Sequence, residues 1–486
     1  MKYITMAALA LLTAACSNDD NELIPEQAAE APGITITAQL APKTGGGETR
    51  ALSDAEDNKI KATWAKNEHL AILYTVGTEK KVADAEITDV DDATGVATIT
   101  FTVDDNTVND TECTLVYPLD AAKADHSGVK DYKDMLATQN GGLSIGLDVR
   151  VGAGTIQTVT PGLTVTTQPA AQYSIFKFTL KDITGTDDMV ASQFTVSNAS
   201  NVVITTVTPV PATNTFYVAL PALAVGTYWF NATIDNKPYI ARGTVSTATV
   251  AGKFYQTQVN MATIGDVILT NGKFAAPSTE SGKAAMIAYI GADADGSDAT
   301  NPDKWHGLAI ALADESNSYC AWSNNTSELA GVSTSSKMTD HKAFLSGIAD
   351  TQTLITKYGE TYAAAKAAAY SVAGFTPSDY GYSEWFLPSS GQWLKFFEAA
   401  GVNVYSWEDW GWAPAPSGGV KADNWPKINT LLTAAGGPVA ENWYWSSSEC
   451  GEGRAARVHF SSEYGVGLNH TSKSYVSLYV RSFLAF

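Results

Sequence analysis

Arg50 is the residue of this sequence best placed to be acted on by another protein. It sits near the end of "PKTGGGETRAL" (residues 42 to 52), where Gly45, Gly46 and Gly47 favour an extended, accessible loop. A peptide bond after an arginine in such a loop is what a trypsin-like protease hydrolyses, and exposed loops are where nicking concentrates. Lys43 is the nearest rival site. Just before it, "GITITAQLA" alternates apolar and polar residues, which predicts a strand with Ile34, Ile36, Ala38 and Leu40 facing a core and Thr35, Thr37 and Gln39 facing out. Cutting after Arg50 would then free a core strand rather than a tail. The alternative is an ordinary loop arginine in an uncut chain.

Other residue types could do chemistry and are read as structural. Ser446, Ser447 and Ser448 with Glu449 and His459 supply the side chains of an acyl-transfer triad, but no nucleophile elbow surrounds them. "YWSSSE" (444 to 449) is expected to pack through its rings, with the serines bonded to local backbone. Trp385, Trp393, Trp443 and Trp445 are likewise expected in a core. Asp293, Asp295 and Asp298 in "GADADGSDAT" lack the glycine and the twelfth-position ligand of a calcium loop, since Lys304 stands there; a solvated acidic loop is expected. Cys320 and Cys450 either pair in an oxidising compartment or stay separate buried thiols. No CxxC or Cys/His spacing suits zinc, so neither a metal nor a cofactor is expected. The binding candidates are Tyr405, Trp407, Trp410 and Trp412, in "VYSWEDWGWAPAPSGG" (404 to 419), where prolines and glycines deny regular structure. Large rings on a loop suit carbohydrate or protein recognition, or they fold back as a lid on the core.

These residues must be positioned by 486 residues, enough for two to four domains. The net charge of −20 comes without a basic stripe, which argues against nucleic acid. From 33 to 262, short alternating runs rich in Thr, Val, Ile and aromatics are broken by turn residues. "LAILYTV", "GVATITFTV", "YSIFKFTL" and "GTYWFNATI" are examples, and they predict antiparallel sandwiches. The Pro and Gly cluster around Pro161 is the expected seam between two of them.

Beyond residue 266 the character changes. Ten of the twelve tryptophans lie past residue 300. Ser389 and Gln392 form a capping-box pattern for a helix ending at Gly401. Pro426 suits a first turn and Gly436 a stop in "DNWPKINTLLTAAGG", and "TYAAAKAAAYSV" favours helix by propensity. "YVSLYVRSFLAF" alternates Val476, Leu478 and Val480 as a closing strand would, so an α+β domain is expected here.

Three resemblances follow. "MKYITMAALALLTAACSNDD" has the layout of a secretory signal and resembles a bacterial lipoprotein signal peptide, with Cys16 as the lipidated residue. Thr13 stands where leucine is usual. "SNDDNE" resembles the surface-export tag of the Bacteroides group. "TRALSDAEDNKIKATWAKNEHLAILY" (49 to 74), with Trp64 and with Glu68 in place of the usual turn aspartate, and "AGKFYQTQVNMATIGDVI" are similar to the fimbrillin family. "WFLPSSGQW", "YWSSSE", "ARVHF" and "YVRSFLAF" resemble the Fibrobacter major paralogous domain, whose fold is related to C-type lectins and formylglycine-generating enzymes. The local cysteine pattern of those enzymes is absent, as are the Glu-Pro-Asn and Trp-Asn-Asp triplets of calcium-dependent lectins.

The resemblances imply a multidomain chain of two all-β transthyretin-like/Greek-key sandwiches followed by an α+β C-type-lectin-like domain. Its expected parts are a signal peptide (1–15), a tether with the removable strand (16–50), sandwiches at 51–165 and 166–265, and a head at 266–486. They further imply an outer membrane lipoprotein precursor at the cell surface, held by lipid until a protease cuts after Arg50. The freed groove would then take a strand from another fimbrial subunit. With the C-terminus occupied by the head, the chain could accept a strand without donating one, placing it at the tip of a fimbrium with a glycan or protein ligand and no catalytic role. The alternative is a permanently anchored glycan-binding lipoprotein.

Overall fold

The computed structural model describes residues 33–43, 53–55, 59–136, 139–279, 281–298, 304–315, 319–402, 421–438, 441–462 and 465–486. It is mostly β, in several sheets. The first unit contains β1 (Gly33–Leu40), a small hairpin of β2 (Ser53–Ala55) and β3 (Lys59–Lys61), then β4 (His69–Val76), β5 (Glu79–Val90), β6 (Ala97–Asp104), β7 (Thr111–Tyr117), a short helix α1 (Tyr132–Leu136), β8 (Arg150–Gln157) and β9 (Gly162–Ala171). Apart from the hairpin, the strands form one antiparallel sheet in the order β1-β6-β5-β4-β7-β8-β9. Alternate residues of β6 and β8 are buried, so one face of the sheet is apolar and must be covered.

The sheet covers itself. It curls until its two end strands meet, and the Ala41 N–H donates to the Gln168 Oε1 of β9 across 3.2 Å. The two layers expected of a sandwich are thus halves of one continuous sheet around one core that runs from Ile36 to Ile156. Close approach of β8 to β9 needs Gly152, where a Cβ would lie 2.6 Å from the Thr167 carbonyl oxygen. β9 also moves the expected seam. Residues 166–171 pair with β8, so the first unit ends after Ala171, and Pro169 sits in a strand at the sheet's edge, where a missing N–H is tolerated.

The second unit has β10 (Ser174–Asp182), β11 (Gln193–Asn198), β12 (Val203–Val207), β13 (Thr215–Leu220), β14 (Gly226–Ile234), β15 (Lys237–Val245) and β16 (Phe254–Met261). They form two sheets, β13-β10-β16 and β12-β11-β14-β15, that enclose an aromatic core around Phe178, Phe194 and Phe216. Asp235 and Asn236 close the β14–β15 hairpin with φ of +50° and +59°, as a type I′ turn requires. The edge of β13 is not left bare. The Tyr217 N–H donates to the Gly141 carbonyl, and the Ala219 N–H donates to Gln139 of the first unit, which blocks stray strand pairing there.

The head contains β17 (Val267–Leu269), β18 (Phe274–Ala275), β19 (Lys283–Ile290), β20 (Gly307–Ala311), α2 (Gly347–Tyr358), α3 (Ala363–Ala369), α4 (Ser390–Ala399), α5 (Lys421–Ala434), β21 (Trp443–Glu449), β22 (Arg454–Ser461), β23 (Gly465–Ser472) and β24 (Phe483–Ala485). A five-stranded sheet, β18-β17-β19-β20-β24, and a three-stranded one, β21-β22-β23, carry the helices. Gln392 closes its half of the box at the start of α4, accepting the Ser389 N–H at 2.9 Å, and Gly401 ends that helix's last turn at φ +70°. Two expectations fail locally. α5 begins at Lys421, so Pro426 lies inside the helix rather than in its first turn. The closing strand is only Phe483–Ala485, and Val476 is exposed while Leu478 and Val480 are buried.

The head and the second unit share a core. Trp229 of β14 stacks on His306, with ring centroids 4.2 Å apart, and packs near Phe274 and Phe486. Arg242 of β15 donates to the Tyr380 carbonyl at 2.7 Å and covers the Trp229 and Tyr382 rings. Trp229→Ala would leave a cavity where the two units meet. It is expected to cost roughly 3–5 kcal/mol and to give two separate calorimetric transitions, against a single joint one expected for the parent.

Candidate functional site

The geometry that could serve exchange lies at β1 and the residues just after it. β1 pairs with β6 along its whole length, from Gly33 opposite Asp104 to Leu40 opposite Ala97. Ile36, Ala38 and Leu40 are buried and Ile34 is half-buried against the same core. Thr35 and Thr37 face out, opposite Thr102 and Thr100. On its other flank β1 lies against β9, whose Leu163 and Val165 pack on the same core. Without β1 the curled sheet would contain a slot one strand wide, with the β6 edge unpaired on one side and a hydrophobic floor beneath.

A buried polar pocket closes the end of that slot. Lys43, three residues past Leu40, places Nζ 3.0 Å from Asp148 Oδ2 and 4.0 Å from Glu68 Oε2, with only 2% of its side chain exposed. The ammonium also lies 3.8 Å from the Tyr117 ring centroid and 4.5 Å from that of Trp64, within cation–π range. Trp64 Nε1–H donates to the Ala41 carbonyl at 2.9 Å. Tyr117 OH donates to Glu68 Oε2 at 2.8 Å, and the Ala65 N–H reaches the same oxygen at 3.1 Å. Arg150 Nε donates to both Asp148 oxygens, at 2.8 and 3.0 Å. Burial pushes the Lys43 ammonium down from its usual range, and the Asp148 and Glu68 carboxylates hold part of that shift back. Burial first, then the Glu68 carboxylate, pushes the Tyr117 hydroxyl up, so it stays protonated and can donate.

This pocket corrects the sequence reading of Lys43. A lysine whose ammonium is enclosed by two carboxylates and two rings cannot enter a protease's specificity pocket while the fold holds. Asp148, Arg150 and Tyr117 escaped sequence reasoning, and Glu68 was read only as a turn residue. One signal was available. "DVRVGAGTIQ" alternates Asp148 and Arg150 with Val149 and Val151, and charges on the strand face that also carries Ile156 demand partners.

The other sequence candidates divide plainly. Cys16, Arg50, Tyr405, Trp407, Trp410 and Trp412 lie outside the described residues. Cys320 and Cys450 are free buried thiols in different core clusters, not a disulfide. Cys450 Sγ lies 3.7 Å from His341 Nε2, but burial raises its thiol well above the usual range, so it is inert as a nucleophile. Ser446, Ser447 and Ser448 bulge from the β21–β22 ladder. They bond across the domain rather than to local backbone alone: Ser447 Oγ donates to Asp350 at 3.0 Å and Ser448 meets Ser390 at 3.1 Å. His459 is stacked on Trp443 instead, and Glu449 is buried against Lys473 at 2.7 Å, so no triad forms.

Asp295 is not solvated either. Fully buried, it accepts the Ile348 N–H at the start of α2 and Gln392 Nε2 at 2.7 Å. Asp293 pairs with Lys395. Among the described residues no group of three or more His, Cys, Asp or Glu side chains could hold a metal, and no helix is long and apolar enough to cross a membrane. Trp385, Trp393 and Trp445 are buried while Trp443 is only half-buried, and the four head motifs converge: Phe386 bridges Phe483, Tyr444 bridges Tyr479, and Trp393 packs on Phe460 and Phe483.

No protein-family model matches the chain, and no curated protein matches it either. Among solved structures it is similar to a fimbrial protein from Bacteroides ovatus, at 13% identity and a TM-score of 0.30 over 94% of this chain and 100% of that one. It is also similar to a putative cell adhesion protein from Bacteroides ovatus, at 13% identity and a TM-score of 0.28 over 48% and 95% of the two chains. A fimbrial assembly protein from Parabacteroides distasonis gives 11% and 0.26 over 47% and 91%. Superpositions this loose do not transfer function.

Two outcomes follow from the buried charges. Asp148→Asn would take from the buried Lys43 and Arg150 the carboxylate that both of them meet and is expected to cost roughly 3–5 kcal/mol in urea unfolding. In the head, burial pushes Asp350 up to about 6 from 3.8, partly offset by bonds from Ser333, Ser447 and Ser346. A carboxyl raised on folding holds its proton more tightly in the native state, so its contribution is fully present below pH 4 and is lost as pH rises through about 6. Unfolding measured at pH 4 and pH 7 should show roughly 2 kcal/mol lost from this group, and Asp350→Asn should remove that part of the pH dependence.

Proposed function

We propose that the chain is a subunit of a cell-surface fimbria that accepts a neighbour's strand in place of β1, with the head acting in adhesion to a glycan or a protein. The observation that carries this reading is the position of β1. Among the described residues it is hydrogen-bonded as a strand to one neighbour, yet its inward residues complete the core. A cut after Arg50 would sever its covalent link to the body. The strand would then be held by side chains such as Ile36 and Leu40, each worth about 1.5–3 kcal/mol when fully buried, together with its ladder bonds. It would stay until a competing strand displaced it, because an open slot exposes unpaired backbone groups.

In this reading the subunit takes a tip or accessory position; β24 is buried and bridged within the head and so is not itself a free donor strand. In this reading the lipid at Cys16 holds the precursor at the outer membrane, and the aromatic loop at Tyr405, Trp407, Trp410 and Trp412 meets the ligand. The Lys43 anchor favours a second reading, in which β1 stays and the protein is a permanently lipid-anchored glycan-binding lipoprotein. Mass spectrometry of the N-terminus of the mature surface form separates the two. The expected result is a start at Ala51; a start at acylated Cys16 would leave the anchored protein as the reading.

A further inference from the structure

Lys43 belongs to the segment that exchange would remove, but its partners do not. Lys43 is the cation that meets both Asp148 and Glu68. If the segment through Arg50 departs, both carboxylates lose that ammonium, in a place where the side chain of Asp148 is 5% exposed. Trp64 Nε1–H loses its acceptor as well, because Ala41 departs with the strand. A donor strand that offered only apolar side chains would refill the slot and still leave an uncompensated buried carboxylate, which is far more costly than an exposed one.

We infer that the slot selects for a lysine or arginine on the incoming strand, three residues past its last core-facing side chain, and that this cation enters the pocket of Asp148, Glu68, Trp64 and Tyr117. The inference rests on the strand-exchange reading. The occupant is a strand of another fimbrial subunit, antiparallel to β6 as β1 is, with apolar residues at the positions of Ile36, Ala38 and Leu40. It also presents a backbone carbonyl to Trp64 where Ala41 now does. Core-facing residues of that kind fit many strands; the pocket is where the slot discriminates, because a like charge or an absent charge there is penalised by burial.

The test uses the full chain with a sequence-specific protease site inserted between residues 44 and 52, cut and then incubated with excess synthetic peptide. The peptides carry the sequence of residues 33–43 in its native form, as Lys43→Met, as Lys43→Glu, and as the outward-facing control Thr37→Ala. Native mass spectrometry reads displacement of the resident segment. The native and Thr37→Ala peptides should exchange equally, Lys43→Met should compete at least about tenfold less well, and Lys43→Glu should not enter. A Glu68→Gln chain should narrow the gap between the native and Lys43→Met peptides. Equal exchange of Lys43→Met and native peptides would overturn charge selection and leave strand exchange standing. Failure of every peptide, the native one included, would overturn exchange and with it this inference.

Discussion

The first unit depends on closing a sheet that is one strand short of covering its own core. A curled antiparallel sheet with an apolar inner face must bring its ends together or leave that face wet. Here β1 fills the space between β6 and β9, hydrogen-bonding to β6 and packing against β9. The other strands run continuously from β6 to β9 in the sheet order, so removing β1, an end strand as β9 is, costs closure without breaking a ladder between two others. An end strand that also completes a core is what the proposed exchange requires.

Holding such a strand firmly and keeping it replaceable are opposing demands. Apolar side chains bind without direction, and any strand of suitable pattern satisfies them. The buried ion pair adds a directional term: Lys43 fits one pocket, at one end, in one register. Buried ion pairs contribute less to net stability than their geometry suggests, because both charges are desolvated, and their best-attested use is to specify one arrangement. In this unit the pair fixes β1 in a register that places Ile36, Ala38 and Leu40 inward, where a slip of one residue would turn all three outward.

The head uses buried polar groups in the same structural sense. Asp295 caps α2 while holding Gln392 of α4, Asp350 gathers serines from three segments, and Glu449 with Lys473 joins β21 to the turn after β23. Residue types that look catalytic or metal-binding in the sequence are spent on tying long irregular connections to a small sheet, since each buried polar atom needs a partner. Trp229, Arg242 and His306 then join the head to the second unit, so the two meet through a packed aromatic contact rather than a loose tether.

Local pattern was legible in the sequence. The alternation of β1, the capping residues Ser389 and Gln392, the stop at Gly401 and the core character of Trp385, Trp393 and Trp445 follow from period and propensity, which act over a few residues. The seam after Ala171 was less legible, because Pro169 reads as a break when the chain is taken as a line and as an edge strand once β8 is beside it. The pocket around Lys43 was legible only as two charges, Asp148 and Arg150, in need of partners: its members lie at positions 43, 68, 148 and 150, and no short-range rule pairs them. The sequence by itself determined which segments could be strands and which of their faces seek a core. Only the tertiary structure decided that one sheet closes on itself, that β1 is the strand completing it, and that a lysine readable as a cutting site is sealed inside. The physical reason is that closure and charge burial depend on distances between residues far apart in the chain, which only the folded backbone sets.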